Sequence, residues 1–399
     1  MKVNGILIFF HCGSNTGYAI GRHEPDFFKM AQILTGDTTK IHLGYVSLDG
    51  GMPTFVDNNF NNIIEFDSRD SNRKTLEAIY NYIKGNKIEV AFGFDQPVSC
   101  PAYSVMRKAG IRLFVSYWGA PMSSINYGIK LFLKRIEVKL RRSKPDHFIF
   151  QSKSMADTAV YGRGIEPHRV SIIHNAVDTE IFKPDLCCQK YAHQAFNISE
   201  DRKIVFYSGH MEERKGVHVI IEAANELIRV RKRKDVHFLF LGNTDGQEKI
   251  FEPRYLGTES ENFITFGGYR EDISRILPSC YVGVIASTGW DSFTMSSMEI
   301  ASSGLPLIVS NLQGLVETIE NGKTGYLIEP SDHIGLAGKI ELLLDDPELQ
   351  KNMGSAGRQR VIENFSHERH IESLVATMRE LYSRCYLTEH LLRLWLERS

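Results

Sequence analysis

The sequence is poor in the features that place a protein quickly. Its six cysteines (Cys12, Cys100, Cys187, Cys188, Cys280 and Cys385) form no CxxC pair and no zinc spacing, so they read as reduced thiols of a cytosolic-type compartment. Neither sign of charge dominates. Lys plus Arg is 47 against 48 for Asp plus Glu, a net charge of −1, which argues against a dedicated nucleic-acid binder. No apolar run approaches the roughly 18 residues that a spanning helix needs. Residues 1–5 lead into a short apolar run, 6–10, that stops at His11, too abruptly for a signal peptide. The dinucleotide fingerprint G-x-G-x-x-G is also missing. Gly13, Gly17 and Gly21 follow a G-x3-G-x3-G spacing, weak evidence for NAD, although Asp49 stands where a ribose-binding acid could sit. There is no short-period repeat and no low-complexity tract.

What is present is a rhythm. The 399 residues, 42% apolar and 24% charged, suit a folded protein of two or three domains. Short apolar runs at 6–10, 41–46, 90–94, 113–117, 147–150 and 172–174 alternate with amphipathic stretches. After a polar stretch, 187–202, the rhythm restarts at 204–207, 238–241, 264–266, 282–286 and 307–309. Continuous apolar strands alternating with helices mean parallel sheets buried on both faces. The expected fold class is therefore α/β, with two doubly wound Rossmann-like domains facing across a cleft. The boundaries read as 1–183 and 184–365. A long helical pattern over 366–399 follows, ending in an apolar run at 391–396, and is expected to pack back on the first domain.

The second domain carries the most chemistry. The strand at 204–207 runs into Ser208-Gly209-His210-Met211-Glu212-Glu213-Arg214-Lys215-Gly216, and a helix begins at Val217. A glycine-bearing turn at a helix N-terminus offers free N–H groups and a positive dipole end, and Lys215 adds a full charge, which suits a phosphate or diphosphate. A solvated loop with an Arg-Lys pair beside two glutamates would look the same. After the strand at 282–286 comes Trp290-Asp291-Ser292-Phe293-Thr294 and a helix containing Met295 and Glu299. On one continuous helix Asp291 and Glu299 would lie about 12 Å apart. With Asp291 in the preceding loop, both carboxylates can face one extended ligand. Asp291 also reads as an N-cap, and Ser296-x-x-Glu299 as a capping box. Glu299 sits in an otherwise apolar helix, where an unpaired carboxylate is costly.

These residues resemble the retaining glycosyltransferases of family 4, which have the two-domain GT-B fold. The likeness is distributed over Gly209-x5-Lys215-Gly216, Gly267-Gly268-Tyr269, Asp291-Ser292-Phe293-x5-Glu299-x4-Gly304-Leu305-Pro306, Gly314-x2-Glu317, Asn321-Gly322-x2-Gly325-Tyr326-Leu327, and Asn175-Ala176-Val177-Asp178 with Phe182-x-Pro184. It covers roughly residues 150–385 well and the first 150 loosely. It implies a metal-independent enzyme without a cofactor, whose donor substrate is a nucleotide-diphosphate sugar, a UDP- or GDP-sugar. Lys215 would grip the diphosphate, helped by Gly209, His210 and Arg214, and Glu299 the ribose. Asp291 would face the donor sugar, Ser292, Phe293, Thr294 and Met295 would meet the sugar and β-phosphate, and Tyr269 and Arg270 would hold the base. The loop of Gly13, Asn15, Thr16 and Gly17 would lie near donor and acceptor.

The sequence departs from that pattern in three places. Asp291 stands where the family's first glutamate is usual, one methylene shorter. His210 replaces an arginine beside the phosphate loop, and a histidine is mostly neutral near pH 7. Trp118 occupies a strand end where many relatives carry a histidine; it cannot act as acid or base, but it can stack on a sugar or simply pack. Residues 130–144 hold Lys130, Lys134, Arg135, Lys139, Arg141, Arg142 and Lys144 against Glu137 alone, interleaved with apolar side chains. Such a helix can lie on anionic lipid, which would suit a lipid-linked acceptor, or can simply be a solvated face. The basic run 229–234 reads as a helix C-terminus. The expected partners are a nucleotide-sugar donor and a glycan or lipid-linked acceptor, with no nucleic acid. The expected location is the cytoplasm, peripheral at the membrane face through residues 129–144. A GT-B sugar-nucleotide epimerase and a non-catalytic nucleotide-sugar-binding subunit are the alternatives.

Overall fold

The structure, a computed structural model, describes residues 2–57 and 59–396; at 18, 19 and 388–396 it describes the backbone alone. The chain divides into two compact units, Met1–His174 with His370–Ser399, and Asn175–Arg369. This division differs from the boundaries 183/184 and 365/366 read from the sequence. Asn175 Nδ2 donates to the Phe293 carbonyl at 2.8 Å, Val177 N–H donates to the Phe365 carbonyl at 3.0 Å, and Phe182 is buried among second-unit residues. These contacts tie the segment after His174 to the second unit.

The first unit is built on a parallel sheet in the order β3-β2-β1-β4-β5-β6-β7. Its strands are β1 (Ile6–Phe9), β2 (Ile41–Tyr45), β3 (Ile63–Glu65), β4 (Val90–Phe94), β5 (Leu113–Trp118), β6 (His147–Phe150) and β7 (Val170–Ile172). Its helices are α1 (Tyr18–Thr35), α2 (Arg73–Gly85), α3 (Pro101–Ala109), α4 (Gly128–Leu140) and α5 (Lys153–Asp157). Both faces of the central strands are buried, which is why they read as continuous apolar runs. Ile6 and Ile8 face the core with Phe27, Phe92 and Tyr117, while Leu7 and Phe9 pack against Ile79, Tyr103 and Phe114 on the other side.

The second unit repeats the plan with a sheet ordered β10-β9-β8-β11-β12-β13, again parallel. Its strands are β8 (Lys203–Ser208), β9 (Val236–Leu241), β10 (Ile264–Phe266), β11 (Val282–Ile285), β12 (Leu307–Ser310) and β13 (Gly325–Ile328). Its helices are α6 (Tyr191–Ala195), α7 (Val217–Asn225), α8 (Ile273–Ile276), α9 (Met295–Ser302), α10 (His333–Asp345) and α11 (Pro347–Asn364). The stretch 187–202, read as a polar linker, contains α6. Tertiary packing holds that helix, because Ala192 is fully buried and its N–H donates to Ser279 Oγ at 2.9 Å.

The last helix, α12 (His367–Leu396), returns to the first unit. Leu374, Val375, Met378 and Tyr382 enter the core of that unit's sheet, Tyr382 Oη donates to Glu89 Oε1 at 2.6 Å, and His370 Nδ1 lies 2.7 Å from Asp26 Oδ2. The apolar run 391–396 lies outside the described side chains.

Candidate functional site

In parallel sheets the useful surface lies beyond the C-terminal strand ends, where loops meet helix N-termini. In the second unit β8 and β11 are neighbours, so the loops that follow them, 209–216 and 286–294, run side by side. A 3-10 turn over Glu213–Lys215 closes on Gly216, whose φ of 71° caps α7. A Cβ on Gly216 would stand 1.8 Å from the Ala286 carbonyl oxygen, so only glycine lets these loops approach so closely.

That approach brings Lys215 onto Asp291. Lys215 Nζ lies 3.0 and 2.9 Å from the two carboxylate oxygens, with side chains only 15% and 6% exposed. Ser287 Oγ also donates to Asp291 Oδ2 at 2.6 Å, and the Ser292 N–H donates to Oδ1 at 3.0 Å. The Asp291 N–H in turn donates to Gln313 Oε1 at 2.9 Å. A Cβ on Gly314 would come within 2.8 Å of the Ser292–Phe293 peptide, so this glycine allows the Gln313 turn to pack on the loop. Asp291 therefore braces the loop instead of capping α9. The cap is Thr294, whose side chain accepts from Ser297 N–H at 3.3 Å, so Ser296 and Glu299 do not form the expected capping box. Met295 opens α9 and Glu299 is buried one turn further on.

The remaining second-unit candidates sit as follows. The Gly209 N–H donates to the Leu241 carbonyl at 3.1 Å, and His210 is exposed while its carbonyl accepts from Tyr207 Oη at 2.8 Å. Arg214 ties the two loops together, donating from Nε to Glu212 Oε2 at 2.6 Å and from Nη1 to the Trp290 carbonyl at 2.7 Å. Phe293 is core, with its ring edge-on to Phe365 at 5.0 Å. Tyr269 is 63% exposed beyond β10. Arg270 forms a two-bond pair with Asp272, at 2.8 and 2.6 Å, which holds the Asp272 carboxyl at about 2. The basic run 229–234 is neutralised by acids, with Arg231 on Glu226 and Glu341 and Arg233 on Asp235 and Asp345. Arg229 lies in the last turn of the helical stretch Glu226–Val230, so the run begins at a helix C-terminus as expected, and ion pairs hold the arginines beyond it.

In the first unit the loop 13–17 precedes α1, and Gly21 falls inside that helix. Its polar side chains are used internally. Asn15 Nδ2 donates to the carbonyls of Gly50 and Met52 at 2.8 and 2.9 Å, and Thr16 Oγ1 donates to the Gly13 carbonyl at 2.8 Å. A Cβ on Gly13 would press to 2.9 Å from Ser47 Oγ, and Gly17 caps α1 at φ 74°. Trp118 is 8% exposed, its ring stacked on Phe150 with centroids 6.2 Å apart. It does not present an open ring face, because the end of β5 is packed against β6.

Residues 189–360 match the family model of glycosyl transferases group 1. The chain carries a glycosyl transferases group 1 domain. That domain contains every strand of the second sheet together with Lys215, Asp291 and Glu299. The capsular polysaccharide biosynthesis glycosyltransferase CapM of Staphylococcus aureus is 26% identical over 246 residues, 60% of this chain and 63% of CapM. The chain spans about half to two thirds of the length of the first curated relatives it matches. A glycosyltransferase from Rickettsia africae has a TM-score of 0.80 at 19% identity, covering 95% of this chain and 99% of that one. HepE of Anabaena, in complex with UDP, has a TM-score of 0.72 at 16% identity, covering 95% and 100%. At these identities the structures establish the fold, which is the GT-B architecture of two parallel-sheet α/β domains.

Sequence reasoning passed over several residues around the group 1 site and in the first unit. Ser287 and Gln313 both contact Asp291, and each lies next to a motif already singled out, so proximity was the available signal. Asp95, immediately after β4, holds the turn at Gly119 through a 2.8 Å hydrogen bond. Its signal was an acid at the C-terminal end of a buried parallel strand, the position where such sheets place ligand contacts. Among the described residues no group of three or more His, Cys, Asp or Glu is placed to hold a metal, and no helix is long and apolar enough to cross a membrane.

Proposed function

We propose that the chain is a retaining glycosyltransferase that moves a sugar from a nucleotide-diphosphate sugar to a glycan or lipid-linked acceptor. The second unit takes the nucleotide and the first takes the acceptor. The observation that carries this reading is the Lys215–Asp291 pair, held at the C-terminal edge of β8 and β11 inside a group 1 domain. In transfer, a bond forms between the acceptor oxygen and the anomeric carbon, and the bond from that carbon to the diphosphate oxygen breaks. Negative charge grows on the leaving oxygen and positive charge on the sugar. Lys215 and the N–H groups that open α9 offset the first, and the Asp291 carboxylate favours the second. Retention follows if the acceptor attacks on the face the diphosphate leaves, the phosphate taking the acceptor proton. UDP is the favoured nucleotide because HepE, which shares the fold, was solved with it.

The acceptor and location readings rest on α4. Ile129 and Leu140 are 79% and 74% exposed, and Phe132 and Leu133 lie open between them. Glu137 is already occupied by Arg163, which with Lys134 holds its carboxyl at about 2. Lys130, Arg135, Lys139 and Arg142 have no ion pair among the described residues and complement an anionic bilayer surface. Co-sedimentation with phosphatidylglycerol vesicles, lost in the variant Phe132→Ser with Leu133→Ser, supports the membrane reading. Equal sedimentation of the variant overturns it.

The function itself is tested by calorimetry and thermal shift with UDP, GDP and ADP and their sugars, with and without magnesium. Binding of one nucleotide without metal, weakened strongly in Glu299→Ala, supports the reading. No binding to any of them overturns it.

A further inference from the structure

Gln313 stands beside the Lys215–Asp291 pair without taking part in the charge contact between them. The strands β11 and β12 are neighbours, so the turn after β12 packs against the loop after β11. Gln313 opens a 3-10 turn, Gln313–Thr318, at φ 45°. That left-handed conformation costs backbone energy in a residue with a side chain, and it clusters at functional sites. Glycine would adopt it freely. The chain does place a glycine here, but one position later and for space. A Cβ on Gly314 would lie 2.8 Å from the Ser292–Phe293 peptide, and Gly314 is not itself left-handed. Position 313 keeps a side chain against the preference of its own backbone.

The contact that this side chain makes gives the reason. Gln313 Oε1 accepts from the Asp291 N–H at 2.9 Å. An N–H can only donate, so the amide oxygen has to face it and the orientation of the amide is fixed. The other contacts of Asp291 hold its carboxylate, with Lys215 at 3.0 and 2.9 Å, Ser287 at 2.6 Å and the Ser292 N–H at 3.0 Å. Gln313 holds the main chain from which that carboxylate projects. Of the two charged partners only the lysine suits a diphosphate, so an arriving donor takes from Asp291 the one cation that pins it.

We propose that Gln313 is a positioning residue for the transferred sugar. Its amide fixes the backbone at Asp291, so the carboxylate stays in place against the sugar when Lys215 turns to the diphosphate. The inference rests on the donor reading of the second unit and adds to it the residue that sets how strongly the sugar itself is held. UDP lacks that sugar and does not need the carboxylate, whereas a UDP-sugar does. The left-handed backbone at 313 is the stability cost of placing the amide there.

Two variants separate positioning from plain support of the loop. Gln313→Gly relieves the left-handed conformation and removes the amide. These effects on stability oppose each other, so its Tm should stay within about 2 °C of the parent chain. Gln313→Met keeps the conformation and loses the amide, and its Tm should fall by about 2–4 °C. Calorimetry on the full chain compares UDP with UDP-glucose, UDP-galactose and UDP-N-acetylglucosamine. The parent is expected to bind at least one UDP-sugar more tightly than UDP. Both variants should lower that ratio about fivefold while UDP affinity changes by about twofold or less. A ratio that Gln313→Gly leaves unchanged overturns the proposal, as does equal weakening of UDP and UDP-sugar, or a parent chain that prefers no UDP-sugar to UDP. In each of these cases UDP still binds and the donor reading stands. A parent chain that does not bind UDP overturns the donor reading and this inference with it.

Discussion

Exchanging the two members of the Lys215–Asp291 pair should move UDP affinity in opposite directions. In the free chain the lysine ammonium lies against both carboxylate oxygens, at 3.0 and 2.9 Å, with little solvent around either. An arriving diphosphate therefore meets a cation that is already neutralised and a carboxylate that repels it. Two unit charges about 4 Å apart interact by about 4 kcal/mol at an effective dielectric of 20. Residual solvent and the distance from the carboxylate to the phosphates leave a smaller share, about 1.4 kcal/mol, so Asp291→Asn should bind UDP roughly tenfold more tightly. Lys215→Met removes a charge-assisted contact of about 1.5–3 kcal/mol and should bind roughly ten- to a hundredfold more weakly. Stability separates the variants too. Lys215→Met strands a carboxylate that keeps its bonds from Ser287 and Ser292, so the loss should fall short of the 3–5 kcal/mol of a fully buried pair, at about 2 kcal/mol. For a unit of this size that is a drop of about 4–8 °C in Tm. Calorimetry with UDP at low and at physiological salt reads the first effect, and thermal unfolding reads the second. Affinity changes of the same sign in both variants would refute the idea that carboxylate and diphosphate compete for one lysine.

Two further outcomes follow from the same contacts. Gly216→Ala should destabilise the second unit by about 3 kcal/mol or more and weaken UDP binding with it, since its φ is 71° and the new Cβ would lie 1.8 Å from a carbonyl oxygen; a urea midpoint equal to that of the parent chain would count against this. The chain should also lose stability as pH falls from about 6.5 toward 4. Burial depresses His42 and His147 to about 4 and His237 to about 3, so the folded chain keeps them neutral while the unfolded chain takes up protons across that window. The limiting slope is about 1.4 kcal/mol per pH unit for each histidine. Replacing His42 by Gln should flatten the dependence of Tm on pH by one proton, and an unchanged slope would show that His42 is not held neutral.

How much of this was legible beforehand varies by element. The central strands stood out because burial on both faces demands unbroken apolar runs, as at 90–94 and 204–207. The edge strands β3 and β13 went unread as strands. Ile63–Glu65 is a short edge strand that is half open to solvent, and Gly325–Ile328 begins at a glycine, so neither carries the pattern. The helix that starts at Val217 gives way to a π-helical turn at Glu226–Val230, which local spacing does not reveal. Arg214 looked like a reserve cation for a phosphate. In the fold it is engaged by Glu212 and the Trp290 carbonyl, partners that the sequence does not bring together.

By itself, then, the amino-acid order determined the fold class and the position of the motifs along it. Apolar periodicity and glycine placement are local properties, and local properties can be read locally. Tertiary structure alone decided which polar groups meet. Lys215 finds Asp291 76 residues away because Gly216 lets two loops touch, and His370 reaches Asp26 across 344 residues because α12 returns to the first sheet. Charge pairing and hydrogen bonding act over a few ångströms, and only the folded chain says which residues lie within them.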